Sequence, residues 1–122
     1  MFASVNTVAV YVSDMERAKR FYTEILGFKI KYDIGPTLCF LVSESGNINV
    51  YLEAGNKPAA VNGESTRLSF FLWTVNTVRE TFDELKVKGV TILDKEPEEV
   101  GNGVYVFRFL DPDRNILEAT GH

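Results

Sequence analysis

The sequence predicts an α+β fold made of two βαβββ modules, and three observations predict it. The stretch 5–28, VNTVAVYVSDMERAKRFYTEILGF, reads as strand, cap, amphipathic helix and glycine stop. The stretch 67–90, RLSFFLWTVNTVRETFDELKVKGV, repeats that plan, with Val12 aligned to Val75 and Gly27 to Gly89. Each stretch is followed by short strand-like segments. A chain of 122 residues is expected to form one domain, with a first module at about 1–54, a linker at 55–66 and a second module at about 67–122.

The first strand carries Val8, Val10 and Val12 on one face and Thr7, Ala9 and Tyr11 on the other. Asp14 is placed to cap a helix whose apolar stripe is Met15, Ala18, Phe21, Tyr22, Ile25 and Leu26, and Gly27 ends it. That stripe is expected to cover the valine face and leave the other open. Strands are predicted at Phe28–Asp33, Thr37–Ser43 and Ile48–Glu53, broken by Gly35-Pro36 and by a turn at Ser45-Gly46-Asn47. In the last of these, Val50 and Leu52 point one way and Asn49, Tyr51 and Glu53 the other. The linker is long for a simple connection, which suits a crossing between subunits or the cover of a site.

The second module opens with a strand over Leu68–Val75, in which Phe70, Leu72 and Thr74 share one face and Phe71, Trp73 and Val75 the other. Thr77-Val78-Arg79-Glu80 matches a capping box, followed by the stripe Val78, Phe82 and Leu85. Strands are predicted at Val90–Asp94, Gly103–Leu110 and Asn115–Thr120, with Asp111-Pro112-Asp113-Arg114-Asn115 as the last turn.

Composition narrows the function. Hydrophobic residues make up 45% and charged residues 25%, the mixture of a globular protein. No apolar run reaches the roughly 18–20 residues that span a bilayer, so no membrane partner is expected. The first residues lack a basic and then hydrophobic signal, and the single Cys39 excludes an intrachain disulfide; both suit a cytoplasmic location. Thirteen basic against 17 acidic residues give a net charge of −4, and Arg17, Lys19 and Arg20 stand beside Glu16 and Glu24. That pattern is a solvated helix face, and no nucleic-acid partner is expected.

The opening VAVYVSDMERAKRFYTEILGF and the closing FRFLDPDRNILEAT together resemble the vicinal oxygen chelate superfamily, which includes glyoxalase I, extradiol dioxygenases, fosfomycin-modifying enzymes and bleomycin-resistance proteins. The resemblance covers nearly the whole chain. Arg114 departs from it, standing where the family usually has glycine. The resemblance implies that each module curls into half of a cup, with helices on the convex side and a ligand on the concave side. Alternation then puts Thr7, Ala9 and Tyr11 in the cup, with Phe70, Leu72 and Thr74, with Ile116, Glu118 and Thr120, and with Val104, Val106 and Arg108. Phe107 and Phe109 are expected under helices.

Metal-dependent members of this superfamily usually place a ligand on four strands, with histidine on the first and fifth. Carried over, the positions fall on Thr7, on Tyr51 or Glu53, on Phe70 and on Glu118. The only histidine, His122, is the last residue. Glu118 with Glu53 gives two of the three ligands a catalytic zinc takes, so neither metal nor other cofactor is expected. Glu118 has two readings, a ligand contact or structural carboxylate and, with less weight, a catalytic base. Arg108 is a candidate anion anchor or a surface arginine at a strand crossing. Cys39 is placed on the cup side, though no histidine is there to activate it. Parity puts Trp73 under a helix. The resemblance implies a metal-independent homodimer that sequesters a small amphipathic or aromatic molecule, contacted by Thr7, Tyr11, Tyr51, Phe70, Leu72, Arg108 and Glu118. A lyase, isomerase or dioxygenase using Glu118 and a ligand-sensing module are the competing readings.

Overall fold

A computed structural model describes residues 1–46, 49–55 and 69–122. The chain divides into two compact units, Met1–Thr66 and Arg67–His122. The predicted linker lies almost entirely outside the described residues, as do Asn47, Ile48, Arg67 and Leu68 from the predicted turn, strands and repeat.

Unit 1 contains β1 (Thr7–Val12), α1 (Met15–Arg20) continued by a π-helical turn (Phe21–Ile25), β2 (Lys29–Ile34), β3 (Leu38–Val42) and β4 (Asn49–Ala54). Its sheet runs β1-β4-β3-β2, with β1 parallel to β4 and the other pairs antiparallel. The predicted cap forms, with the Arg17 backbone N–H donating to Asp14 Oδ1 at 3.0 Å. Gly27 closes the helix at φ 84°, where a side chain would be strained. Met15, Ala18, Phe21 and Tyr22 are buried on the face that meets Val10, Val12, Leu41, Val50 and Leu52, and α1 packs on β4. Each fully buried side chain such as Leu41 or Leu52 contributes about 1.5–3 kcal/mol. Lys19 ties the helix to the edge strand β2 through Asp33, at 3.1 Å. Cys39 is fully buried on the helix side, paired with Leu52, so it does not share the open face as the sequence suggested.

Unit 2 contains β5 (Ser69–Trp73), α2 (Val78–Val87), β6 (Glu98–Gly101), β7 (Val104–Leu110) and β8 (Ile116–Gly121), in the sheet order β5-β8-β7-β6. β5 is parallel to β8 and the other pairs are antiparallel. The capping box is present, with the Glu80 N–H donating to Thr77 Oγ1 at 3.1 Å and the Thr77 N–H to Glu80 Oε2 at 3.4 Å. Val78, Phe82 and Leu85 pack over Phe107, Phe109, Leu117 and Ala119. The last turn holds despite its missing glycine. Arg114 adopts φ 64°, and the buried Asp111 carboxylate accepts from the backbone of Asp113 and Asn115 and from Asn115 Nδ2.

Two expectations about this unit are corrected. Val90–Asp94 is not a strand: Ile92 makes a single bridge to Phe109, and the edge strand is Glu98–Gly101. The parity of β5 is also reversed. Phe70 pairs with Leu117 and Leu72 with Ala119, both buried beneath α2, whereas Phe71 pairs with Glu118 and Trp73 with Thr120. Phe70, Leu72 and Thr74 therefore lie on the helix side. Phe71 and Trp73 lie on the open face, 72% and 61% exposed.

The cause is a pair of one-residue differences between the modules. The connection from β5 to α2 is longer than that from β1 to α1, and it turns where Thr74 Oγ1 donates to the Asn76 carbonyl at 2.7 Å. The first helix compensates with its π turn, in which the Leu26 N–H reaches the Phe21 carbonyl at 3.1 Å. Once both are counted, Val12 corresponds to Thr74 rather than to Val75.

Thr74 also sets the closest approach in this unit. A Cβ on Gly121 would run into Thr74 Oγ1 and crowd Val78. Gly121→Ala should therefore destabilise the fold by about 1–3 kcal/mol. Adding Thr74→Ala should recover part of the loss, which chemical denaturation of the three variants measures; a neutral Gly121→Ala would contradict the packing.

Candidate functional site

Each sheet has one face under its helix and one face away from it. In unit 1 the second face carries Thr7, Ala9 and Tyr11 from β1, Asn49, Tyr51 and Glu53 from β4, and Leu38, Phe40 and Val42 from β3. An aromatic row crosses it. Tyr32 meets Phe40 edge-on at 6.3 Å between centroids, and Phe40 meets Tyr51 at 5.2 Å. Tyr11 and Tyr51 are half-buried. Burial first, then the charges of Glu53 and Tyr11, raises the Tyr51 phenol above its ordinary pKa. Tyr51 therefore stays a neutral hydrogen-bond donor. The sequence located Tyr11 and Tyr51 on this face and passed over Tyr32 and Phe40.

In unit 2 the corresponding face carries Phe71 and Trp73 from β5, Ile116, Glu118 and Thr120 from β8, and Val104, Val106 and Arg108 from β7. Glu118 is half-buried and lies between its register partners Phe71 and Arg108. The Trp73 ring meets the imidazole of His122 edge-on at 5.3 Å.

Arg108 shares the face of Glu118, as alternation predicted, but its guanidinium is already engaged. Asp94 accepts from Arg108 Nε at 3.2 Å, from its terminal nitrogen at 2.7 Å and from its backbone N–H at 2.6 Å. The segment after α2 is thereby pinned along β7, where the Leu93 N–H donates to the Arg108 carbonyl and the Leu110 N–H to that of Thr91. Asp94 was read only as a strand end, and nothing local in DKEPEE marks it as the partner of Arg108.

The ladders also relate, between the two modules, the positions onto which the resemblance carries metal ligands. Tyr51 lies opposite Ala9 as Glu118 lies opposite Phe71, so Tyr51, rather than Glu53, corresponds to Glu118. By the same register Ser69 corresponds to Thr7, and it replaces Phe70 as the third position. Unit 1 therefore carries an aliphatic hydroxyl and a phenol at these positions, and unit 2 an aliphatic hydroxyl and a carboxylate. Neither pair fits a transition metal, which takes three ligands of histidine, cysteine or carboxylate type. Among the described residues no three histidine, cysteine, aspartate or glutamate side chains gather.

A family model described as the Glyoxalase/Bleomycin resistance protein/Dioxygenase superfamily matches residues 4–119. The chain belongs to this superfamily. It is 31% identical over 119 residues to YetH of Bacillus subtilis (strain 168), covering 96% of this chain and 97% of that protein. It shares its fold with FosX, a genomically encoded fosfomycin resistance protein of Listeria monocytogenes. The TM-score is 0.76 at 18% identity, with 100% of this chain and 95% of the other covered. It likewise shares the fold of lactoylglutathione lyase from Agrobacterium tumefaciens, at TM-score 0.75 and 18% identity, over 98% and 93% of the two chains. Among the described residues no helix is long and apolar enough to cross a membrane.

The Asp94–Arg108 pair has a consequence in acid. The hydrogen bond from the Arg108 side chain, opposed by burial, holds the Asp94 carboxyl below the usual carboxylate range. Stability from a lowered carboxyl is complete above the unfolded value, about 3.9, and is lost as pH falls through the lower folded value. Asp94→Asn should lower Tm at pH 7, and its deficit against the parent should shrink by pH 3; Arg108→Leu should follow the same pattern. Thermal melts at the two pH values decide it, and a deficit equal at both would remove the pair from the acid response.

Proposed function

We propose that the chain is a metal-independent small-molecule-binding protein, acting by sequestration as in the bleomycin-resistance branch of its superfamily. It works as a single-domain cytoplasmic protein in a homodimer, the arrangement that family resemblance favours, and it holds an amphipathic, partly aromatic molecule. The observation that carries this reading is the pairing of aromatic faces with a donor set that suits no transition metal. Tyr32, Phe40 and Tyr51 form a row of rings on one module, and Phe71 and Trp73 stand on the other. Ring-to-ring contacts are worth about 0.5–1.5 kcal/mol each beyond the area they bury. Where metal-dependent members concentrate histidines, this chain has Thr7, Tyr51, Ser69 and Glu118.

Roles follow from chemistry. Tyr11 and Tyr51 offer apolar ring surface with a hydroxyl at the rim, which orients a ligand while most of its area is buried. Thr7 adds a hydroxyl. Glu118 is the charged contact of the second module, and Phe71 and Trp73 take the part that the sequence had given to Phe70 and Leu72. Arg108 positions the Asp94 segment and lends field to the face rather than a free fork.

In metal-chelating buffer, a calorimetric screen of aromatic amphipathic compounds should give saturable binding, with the compound recovered unchanged by mass spectrometry. Tyr51→Leu should weaken a hit about tenfold, while Tyr51→Phe should keep most of the affinity. Light scattering should report twice the 13.7 kDa chain mass. Turnover that depends on added metal would sink the reading, and metal-free turnover abolished by Glu118→Gln would replace it with catalysis by that carboxylate.

A further inference from the structure

The open face of unit 2 carries a charge imbalance that bears on what it binds; the inference rests on the binding function just proposed and names its ligand class. We infer that this face selects an organic cation, whose ammonium or other positive group sits beside Glu118 and whose flat or alkyl part lies against Phe71 and Trp73.

Three observations lead there. Phe71 and Trp73 are successive residues on the same side of β5, so their Cα atoms stand roughly 7 Å apart along one edge of the sheet. Two large aromatic side chains side by side at this exposure form a patch rather than scattered surface residues. Glu118 is the register neighbour of Phe71, on the adjacent strand about 4.8 Å away. An aromatic ring and a carboxylate on neighbouring positions of one face attract the same kind of group: a cation gains from the ring quadrupole and from the carboxylate together.

The second observation concerns competition. An anionic ligand would need Arg108, the register neighbour of Glu118 on its other side. That guanidinium already holds Asp94 through two nitrogens, with a third bond from the backbone. An incoming anion would have to share that guanidinium with the Asp94 carboxylate and lie beside the charge of Glu118. A cation would displace nothing.

The third is the sum of charges. Asp94, Glu118 and Glu98 all act on Arg108. Three carboxylates against one guanidinium leave the face negative. His122 meets the Trp73 ring edge-on, with 5.3 Å between centroids. The occupant is thus set by charge complementarity, and the single tryptophan reports it directly.

The test uses three probes with one ring system: (naphthylmethyl)trimethylammonium, naphthylmethanol and naphthylacetate, titrated into the intact protein by calorimetry and followed by Trp73 fluorescence. The cation should bind at least about tenfold more tightly than the alcohol, and the acetate more weakly than either. Glu118→Gln should reduce the preference for the cation over the alcohol about tenfold. Trp73→Leu, read by calorimetry, should weaken the cation more than the alcohol, because it keeps apolar area and loses the ring face. Equal binding of all three probes overturns the cation inference and leaves small-molecule binding standing. Tighter binding of the acetate overturns it in favour of Arg108. Binding that spares Trp73 fluorescence, with an emission that instead depends on protein concentration, overturns it in favour of a second copy of the chain on this face. Conversion of a probe would strike at sequestration alone, since the order of affinities would still stand.

Discussion

The register of each outer strand on its neighbour decides which side chains each sheet presents on the face away from its helix. A sheet with one helix on it has one buried face, and side chains alternate with a period of two. Once Leu117 and Ala119 are committed to the underside of α2, every residue paired with them follows. Phe70 and Leu72 go inward, and Phe71 and Trp73 are left outside beside Glu118 and Thr120. A slip of one residue would bury the tryptophan and expose the leucine. The chemistry of the second face is thus a consequence of packing on the first.

The same constraint explains what could be read from the sequence. The strand at Thr7–Val12 alternates valine with more polar residues, and its faces were legible. So were those of Asn49–Ala54 and Ile116–Gly121, where apolar and polar residues also alternate, whereas the faces of Val104–Leu110 needed the family resemblance as well. The segment Ser69–Trp73 is SFFLW, apolar at four successive positions. Nothing in it distinguishes inside from outside. Its parity was borrowed from the first module through the alignment of Val12 with Val75, and the longer turn before α2 broke that transfer. The helix signals were robust because they are local: Asp14 and Thr77 make the caps their sequence context announces. Glu98–Gly101 was missed because two of its four residues are glutamates on an exposed edge, a composition with little strand character.

Site residues divided along the same line. Tyr11, Tyr51 and Glu118 followed from alternation within strands of clear pattern. Asp94 did not, because its partner Arg108 lies fourteen positions away and the contact needs the chain to turn back along β7. An arginine that looks like a ligand anchor in sequence can be one half of a structural clamp, and only the long-range contact separates the two. The clamp occupies Nε and one terminal nitrogen of the arginine whose type alone suggested an anion anchor.

The two modules have diverged in a way that the register makes explicit. Thr7 corresponds to Ser69, Ala9 to Phe71, Tyr11 to Trp73 and Tyr51 to Glu118. The hydroxyl positions match. At the next two, the second module carries larger side chains, a phenyl ring for a methyl group and an indole for a phenol, and at the last it replaces a phenol with a carboxylate. Burial keeps Tyr51 neutral, so the first face offers rings and neutral hydroxyls, with Glu53 its charged member. The second face offers rings beside a charge whose cationic neighbour is already neutralised by Asp94. Duplication of one βαβββ plan supplies two similar backbones. Substitution at outward-facing positions, which leaves the core pairs of each ladder untouched, then gives their faces different chemistry. Such positions can change without repacking Leu52, Phe107 or Leu117, all fully buried. The fold can therefore keep its stability while the side chains on its outward faces change.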